Sequence, residues 1–387
     1  MKVCLINNLY RPFTRGGAER IVELVAEGLE KGGHEVVVVA TKPIFKNVEC
    51  RVSSVECYFI SGFYYNLGGL PKILRLFWHI IDMFDAGSFL KVRSILKKEK
   101  PDLVMTHNLK GVGYLIPLAV KLSGIKHIHA LHDIQLLHPS GLMIYGAEKK
   151  INGLFAKMYA SICRWLFNSP SAVISPSKWL MDMHSARGFF QDSKKEILPN
   201  PTSPLTPLLI RRGEKGERFQ FLYVGQIEEH KGILFLIKAF KSIPPPYEGG
   251  GWGRLELLIV GDGSQMEKAK ELAAGIENIK FLGKKNKDEA ASLMQTADCL
   301  IVPSLCYENS PTVIYEAFSA GLPVIASDLG GISELLSDGA GILFKAGDEG
   351  DLAGKMKWVS DNKNELKNIG EAGSKRVENF GLESYLD

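Results

Sequence analysis

Short apolar runs rich in β-branched residues alternate with helix-like segments along almost the whole chain, and this alternation limits the possible folds most. It is typical of parallel sheets whose strands are joined by crossover helices. The predicted strands are 2–7, 36–40, 103–107, 127–131 and 172–175 in the first half, and 219–224, 255–260, 279–282, 300–303 and 323–326 in the second. The alternation therefore predicts an α/β fold.

The length of 387 residues predicts two domains, because an ordinary domain has about 100–200 residues. Prolines and charged residues without periodicity follow residue 199, as in an exposed connection. We place a first domain at 1–200, a linker at 201–218 and a second domain at 219–370. A further stretch rich in proline and glycine, 244–253, is predicted to be a surface loop.

Targeting signals and metal patterns are not evident in the sequence. No run reaches the roughly 18 apolar residues of a spanning helix, and the N-terminus has no extended apolar segment of a signal peptide, so we expect a cytoplasmic protein. The six cysteines form no CxxC pair and have no zinc-ligand spacing, which favours structural roles.

Charge is distributed unevenly along the chain. Residues 1–200 contain 26 Lys and Arg against 16 Asp and Glu, and the remainder contains 21 against 27. A basic first half favours anionic lipid surfaces or anionic acceptors, although lysines scattered over solvated helix faces would give the same count. Both interpretations stay open.

Loops that follow parallel strands are where a ligand site is expected. Gly16-Gly17 precedes a predicted helix, where glycine backbone and helix N–H groups can approach a phosphate. Lys231 lies in the loop 225–232 and would supply a positive charge for a phosphate. The loop that begins at Gly261 has Met266 where a dinucleotide fingerprint needs its last glycine, which argues against a nicotinamide site.

The loop 303–311 is the most informative of these loops. Ser310 is predicted to cap the following helix and Pro311 to lie in its first turn. Glu308 precedes the helix and Glu316 lies inside it. Carboxylates accept hydrogen bonds from sugar and ribose hydroxyls, although glutamate is also common on helix faces.

The spacing of these residues resembles the EX7E region of glycosyltransferase family 4, whose members have the GT-B fold. Further matches in family order are Gly16-Gly17-Ala18-Glu19, His132-Asp133, Pro199-Asn200, Val224-Gly225 with Lys231-Gly232, Val260-Gly261-Asp262-Gly263, Leu282-Gly283 and Gly330-Gly331 with Glu334. The resemblance covers nearly the whole chain. It implies two Rossmann-like domains that face each other across a cleft, with a C-terminal helix, 371–387, crossing back to the first domain.

The resemblance also implies an activity and site residues. It implies a metal-independent hexosyltransferase with no cofactor, which moves a sugar with retention from a nucleotide-diphosphate sugar to a glycan or lipid-linked acceptor in polysaccharide or glycolipid synthesis. The implied catalytic residues are Glu308, His132 and Lys231. The implied donor-binding residues are Gly16, Gly17, Gln226, Gly261, Gly283, Asn309, Ser310, Pro311, Thr312 and Glu316.

Gln226 departs from the family pattern, because many members place an arginine there that helps to hold the diphosphate. This departure keeps open a non-catalytic subunit that binds a nucleotide sugar. A nucleotide-sugar 2-epimerase is a second alternative, against which the EX7E spacing argues.

Two further segments admit structural explanations. Four histidines lie between His127 and His138, but only His132 has motif support, and His127 and His129 would share one face of a strand. The aromatic stretch 58–89 either forms a core-facing helix or contacts a membrane or a lipid-linked acceptor. Peripheral contact at the inner face of a membrane, with no nucleic acid partner, is therefore a further expectation.

Overall fold

The structure is a computed structural model that describes residues 1–13, 16–44, 51–52, 55–69, 71–202, 218–243 and 255–386, without the side chains at positions 51, 52, 66, 68, 72, 73 and 76. The predicted linker lies outside these residues except at its ends. The predicted loop 244–253 lies wholly outside them.

The chain divides into two compact units. Unit 1 contains Met1–Leu142, Lys149–Pro201 and Leu382–Asp387, and unit 2 contains Met143–Glu148 and Thr202–Gly381. The prediction differs in placing residues 143–148 in the first domain. It also made 371–387 a single crossing helix, whereas the helix that includes residue 371 ends at Glu378 within unit 2.

Unit 1 is built on a mostly parallel sheet, which has eight strands in the part of the chain described above. The strands are β1 (Lys2–Ile6), β2 (Glu35–Pro43), β3 (Arg51–Val52), β4 (Val55–Gly62), β5 (Leu103–Thr106), β6 (Lys126–Ala130), β7 (Ala172–Ser175) and β8 (Lys194–Ile197). Their order is β3-β4-β2-β1-β5-β6-β7-β8, and only the β3–β4 pair of this sheet is antiparallel.

Helices connect these strands. They are α1 (Gly17–Lys31), α2 (Lys72–Met83), α3 (Ala86–Glu99), α4 (Ile116–Leu122), α5 (Leu154–Leu166) and α6 (Lys178–Ser185), with 3-10 turns at Phe63–Gly69 and Glu148–Asn152. The strands β3, β4 and β8 were not predicted. Every residue of β8 is exposed, so this edge strand lacks the apolar pattern on which the prediction depends.

Unit 2 contains a parallel sheet of six strands among its described residues. The strands are β9 (Phe219–Val224), β10 (Leu255–Val260), β11 (Ile279–Gly283), β12 (Cys299–Val302), β13 (Val324–Ser327) and β14 (Ile342–Phe344), in the order β11-β10-β9-β12-β13-β14. The helices are α7 (Ile233–Ser242), α8 (Met266–Ala273), α9 (Lys287–Thr296), α10 (Thr312–Ser319), α11 (Gly331–Leu335), α12 (Glu349–Asp361) and α13 (Lys363–Glu378), and a 3-10 turn lies at Glu229–Lys231.

Both faces of this second sheet are covered by helices. Along β9, Phe221 and Tyr223 pack in a core with α7, α8 and α12, whereas Leu222 packs in a core with α10 and α11. Successive side chains of a strand point to opposite faces, so a continuous apolar run is what a doubly covered strand requires. The predicted α/β fold is confirmed.

The C-terminal helix α14 (Leu382–Leu386) belongs to unit 1 and packs on α1. A Cβ atom added at Gly28 of α1 would lie 2.7 Å from a methyl carbon of Leu382. The absence of a side chain at position 28 therefore leaves room for the C-terminal segment of the chain.

Three buried histidines belong to the core of unit 1 and are not arranged for metal binding. His127 Nε2 and His129 Nδ1 lie 2.8 and 2.9 Å from the hydroxyl of Thr106 on the neighbouring strand. His184 donates its Nδ1–H to the backbone carbonyl of Leu180 at 2.9 Å. Among the described residues, no three or more His, Cys, Asp and Glu are grouped as a metal site would require.

A pair of helix glycines provides a matched test of packing in unit 2. A Cβ atom at Gly370 of α13 would lie 2.4 Å from the carbonyl oxygen of Gly321, whereas one at Gly354 of α12 would have no atom within 4 Å. We expect Gly370→Ala to lower the free energy of unfolding by about 1–3 kcal/mol, because the helix must move. Gly354→Ala should raise it by about 0.5–1 kcal/mol. Urea unfolding of both variants gives the comparison, and equal effects would contradict it.

Burial of neutral histidine also predicts a pH dependence. Burial lowers the pKa of His184 from 6.5 to about 4, so the unfolded chain binds this proton first as the pH falls. The contribution of neutral His184 to the free energy of unfolding is therefore complete above pH 6.5 and is lost between pH 6.5 and pH 4. It should fall by about 2 kcal/mol at pH 5.

His184→Leu removes this proton site, so we expect its free energy of unfolding to fall less than that of the wild type between pH 7.5 and pH 5. The measurement is urea unfolding at both pH values. An unchanged difference between them would show that His184 does not contribute to acid instability.

Candidate functional site

The strand order of unit 2 defines where its loops diverge. From β9 the chain passes to β10 and β11 on one side, and then returns to β12 on the other side of β9. The carboxyl ends of β9 and β12 therefore form the switch point at which open α/β sheets bind ligands. The loops 225–232 and 303–311 begin at these two strand ends, so two of the predicted loops lie side by side.

Lys231 and Glu308 form an ion pair at this switch point. Lys231 Nζ donates to Glu308 Oε2 at 2.8 Å, and 27% and 15% of the two side chains are exposed. Burial disfavours both charges, but each is stabilised by the other. The net effect is that the pKa of Lys231 is raised and that of Glu308 is lowered. Both groups are therefore charged at neutral pH.

Ser304 holds the second oxygen of the same carboxylate. Its hydroxyl donates a hydrogen bond to Glu308 Oε1, and the side chain is buried. Both oxygens of Glu308 thus have a donor, which fixes the plane of the carboxylate. Ser304 lies in the predicted loop 303–311 but was not predicted as a site residue. Its position four residues before Glu308 gave no reason to expect a direct contact.

Two glycines let the surrounding loops approach this pair closely. A Cβ atom at Gly232 would lie 1.9 Å from the carbonyl oxygen of Pro303, and one at Gly330 would lie 2.5 Å from that of Glu308. Both glycines have positive φ angles, 75° and 61°. Because neither position can hold a side chain without displacing backbone, the loop that carries Glu308 has backbone packed against it on two sides.

The loop after β10 joins the loop after β9 through backbone hydrogen bonds. Ile227 donates its N–H to the carbonyl of Asp262 at 2.9 Å, and Gln265 donates to Ile227 at 2.9 Å. Glu228 accepts from the N–H and the hydroxyl of Ser264, at 2.9 and 2.6 Å. These contacts fix the loop that includes Lys231. The link between Glu228 and Ser264 was not predicted.

Three predicted donor-binding residues lie around these loops. The Gln226 side chain is exposed, and the backbone carbonyl of this residue accepts from the hydroxyl of Tyr223 at 2.6 Å. Gly261 donates its N–H to the carbonyl of Gly283 at 2.9 Å, so these two predicted residues are in contact. The three residues thus lie at the ends of β9, β10 and β11.

The start of α10 differs from the prediction. Pro311, not Ser310, occupies the capping position, and no side chain caps the helix. The Ser310 hydroxyl instead lies 2.5 Å from that of Tyr315. The first helical residue is Thr312, whereas the prediction had Pro311 within the first turn. An uncapped first turn leaves N–H groups for another acceptor, such as a phosphate.

The remaining predicted residues of this region are placed by the same helix. Asn309 is buried immediately before α10, and Glu316 lies in its second turn with a half-buried side chain. Glu316 therefore lies on the helix that begins next to the Lys231–Glu308 pair.

A segment from the first half of the sequence supports the Glu308 loop within unit 2. Tyr145 donates its N–H to the carbonyl of Leu305 and Tyr307 donates to that of Met143, each at 2.9 Å. The Tyr307 hydroxyl donates to Glu148 at 3.1 Å. Residues 143–148 had no strand-like pattern, so sequence analysis missed this pairing, which needs a long-range contact.

Gly16 and Gly17 lie in unit 1, where the prediction placed them. Gly16 precedes α1 and donates its N–H to Glu19 Oε2 at 2.7 Å, and Gly17 is the first residue of the helix. The Gly16 N–H, which the resemblance would direct to a phosphate, therefore donates to Glu19 instead. As a carboxylate in the first turn, Glu19 also stabilises the helix.

His132 also lies in unit 1, where it pairs with a second histidine. His132 Nε2 lies 2.9 Å from Nδ1 of the buried His107, and the rings are stacked with centroids 5.2 Å apart. Burial lowers the pKa of His132 to about 4 and that of His107 well below its usual value. Both rings are neutral at pH 7, so one donates to the other and His132 acts there as a neutral group.

The sequence of the protein resembles glycosyltransferases over most of its length. The sequence model described as Glycosyltransferase Family 4 matches residues 15–204, and the one described as Glycosyl transferases group 1 matches residues 209–376. An uncharacterized protein of the Klebsiella pneumoniae cps region is 25% identical over 87% of each chain. An uncharacterized glycosyltransferase of Methanocaldococcus jannaschii is 25% identical over 88% of each chain.

Solved structures share the same architecture. Sucrose-phosphate synthase from Thermosynechococcus elongatus aligns with a TM-score of 0.71 and 19% identity, covering 100% of this chain and 96% of that chain. Anabaena HepE in complex with UDP-glucose aligns with a TM-score of 0.70 and 19% identity, covering 100% and 97%. At this identity the likeness establishes the fold alone. The two sequence models together span residues 15–376 apart from a short gap, so the chain is a glycosyltransferase of the family 4 type. The structural likeness shows that it has the GT-B fold.

Proposed function

We propose that the protein moves a hexose with retention, and without a metal or cofactor, from a nucleotide-diphosphate sugar to a glycan or lipid-linked acceptor. The observation that carries this proposal is the Lys231–Glu308 pair at the switch point of the unit 2 sheet. The UDP and UDP-glucose complexes of Anabaena HepE support a nucleotide-sugar donor. The cps region of the Klebsiella relative supports a role in polysaccharide or glycolipid synthesis.

The leaving group sets the electrostatic requirement of this reaction. Negative charge develops on the diphosphate as its bond to the sugar breaks, and a fixed positive group stabilises that charge in a site with little water. Lys231 is held in place by Glu308 and retains two further N–H donors that can reach a phosphate. The first turn of α10 and the exposed Gln226 amide add neutral donors. They supply hydrogen bonds without the charge of an arginine.

The two carboxylates have separate proposed roles. Glu308 would contact the donor sugar near the reacting carbon, because its plane is fixed by Ser304 and Lys231. Glu316 would accept hydrogen bonds from the ribose hydroxyls. In unit 1, we propose that Gly16 and Gly17 contact the diphosphate and that neutral His132 contacts the donor sugar or the acceptor hydroxyl.

The acceptor side is proposed to lie in unit 1, with peripheral contact at the cytoplasmic face of a membrane. Helix α2 leaves Phe77, Ile80 and Ile81 exposed, and Phe84 directly after it is also exposed. Part of the stretch 58–89 therefore does not face a core, contrary to the alternative explanation. Among the described residues, no helix has both the length and the apolar content to span a bilayer. Exposed apolar side chains on one helix suit a lipid portion of an acceptor.

A donor screen with EDTA present tests this function. We expect release of a nucleoside diphosphate from one nucleotide sugar of a panel. Lys231→Met should slow that release by about 10²–10³-fold, because the leaving group loses its nearby cation. Lys238→Met is the matched control, since Lys238 is exposed on α7 and pairs with Glu349 at the surface. Its rate should stay near that of the wild type.

The same assay distinguishes the alternatives. Tight donor binding with no turnover of any nucleotide sugar would favour a non-catalytic subunit. Recovery of an epimerised donor without release of nucleoside diphosphate would favour the 2-epimerase. Loss of turnover on addition of EDTA would contradict metal independence.

Isothermal titration calorimetry tests the proposed role of Glu316. We expect Glu316→Ala to weaken nucleoside diphosphate binding by about 10–100-fold, because the ribose hydroxyls lose a charged acceptor. Glu365→Ala, an exposed position on α13, is the control and should bind as the wild type does. An unchanged affinity of Glu316→Ala would refute the assignment.

A further inference from the structure

Helix α5 of unit 1 has a buried apolar face and an exposed apolar face. Ala156, Tyr159, Cys163 and Leu166 point into the core. Five other large apolar side chains are exposed, with 78% exposure at the first and 69% at the last: Leu154, Phe155, Met158, Ile162 and Trp165. We call these five residues the α5 stripe. This helix was not singled out by its sequence.

The α5 stripe is a continuous surface. At about 100° per residue, its members fall within an arc of roughly 100° on the helix, next to the buried arc. Single exposed apolar residues are ordinary on a protein surface, but a contiguous group that includes tryptophan marks an interaction surface.

The charged residues on α5 itself and at positions 149 and 150 before it have one sign. Lys149 and Lys150 are exposed just before the helix, and Lys157 and Arg164 are exposed along one flank of the stripe. Arg164 is held at the surface by a 3.2 Å hydrogen bond to the carbonyl of Arg187. No Asp or Glu occurs from Lys149 through Met181. The surface therefore combines apolar and positive groups without acidic groups from its own segment.

We infer that α5 docks on an anionic lipid bilayer, with the α5 stripe among the acyl chains and the basic residues at the headgroups. Apolar burial and attraction between lysine and anionic lipid are the two contributions that bind such a helix. A second copy of the chain fits less well, because a two-fold contact through α5 would bring Lys157 and Arg164 of both copies together. This inference rests on the proposed membrane contact of unit 1. It adds that α5 makes this contact and that the lipid is anionic.

Vesicle flotation tests the apolar part of this surface. We expect the full-length wild type to float with phosphatidylglycerol-containing vesicles at low salt, and to stay behind with pure phosphatidylcholine. Met158→Ser/Trp165→Ser should reduce the partition constant by about tenfold or more, because two of the largest inserted side chains are lost. Trp358→Ser is the matched control, since Trp358 is exposed on α12 of unit 2. It should float as the wild type does.

A second set of variants tests the charge. Lys149→Gln/Lys150→Gln/Lys157→Gln should reduce partitioning by about tenfold or more, and the wild type should lose binding as salt increases. Lys268→Gln/Lys287→Gln/Lys375→Gln removes the same charge from exposed positions of unit 2 and should have little effect.

Three results would overturn the inference. The first is that the wild type does not float with anionic vesicles. The second is that Phe77→Ser/Ile81→Ser on α2 abolishes flotation while Met158→Ser/Trp165→Ser retains it. The third is that light scattering detects a dimer that Met158→Ser/Trp165→Ser dissociates, which would make the α5 stripe an interface between copies. Flotation needs no sugar donor, so a protein that floats but turns over no donor would contradict the proposed transfer alone.

Discussion

The candidate site depends on one ion pair taken partly out of water. Burial disfavours the charges of both Lys231 and Glu308, and the attraction between them offsets that cost. Such a pair contributes little to stability compared with apolar residues in the same space. Its position at the carboxyl ends of β9 and β12 therefore has a chemical rather than a structural explanation. In the transfer that we propose, the pair would keep a lysine charged and fixed near the leaving diphosphate of the sugar donor.

The loops that position this pair are packed backbone against backbone. Gly232 approaches Pro303, and Gly330 approaches the carbonyl of Glu308, at distances that exclude a side chain. Neighbouring loops consequently cannot shift independently. The segment 143–148 extends this packing by pairing with the residues immediately before Glu308. Four chain segments thus determine the geometry of the carboxylate. They approach each other most closely at the two glycines.

Sequence patterns predicted the features that depend on local chemistry. The alternating apolar runs gave ten strands close to their observed bounds, because doubly covered strands are apolar throughout. The strand–loop rule placed Lys231 and Glu308 in loops that follow strands, and the observed strand order brings these two loops side by side. The patterns missed the exposed edge strand β8 and the hydrogen bond from Ser304. They also assigned the cap of α10 to Ser310, whose hydroxyl contacts Tyr315 instead. This contact is local too, because Tyr315 lies five residues later in α10, but a cap preference takes no account of a competing hydroxyl partner on the same helix.

Charge asymmetry between the halves of the chain had two explanations from the sequence, and unit 1 contains an arrangement that fits each of them. Lysines on solvated faces would lie among acidic and polar neighbours, and much of unit 1 has this arrangement, as at Lys2, Lys98 and Glu99. Around α5, by contrast, basic residues border exposed aromatic and aliphatic side chains. A flank that needed only solubility would not combine these groups, because the apolar area lowers solubility. The combination is favourable where an apolar layer lies directly beneath negative charge, as at an anionic bilayer surface.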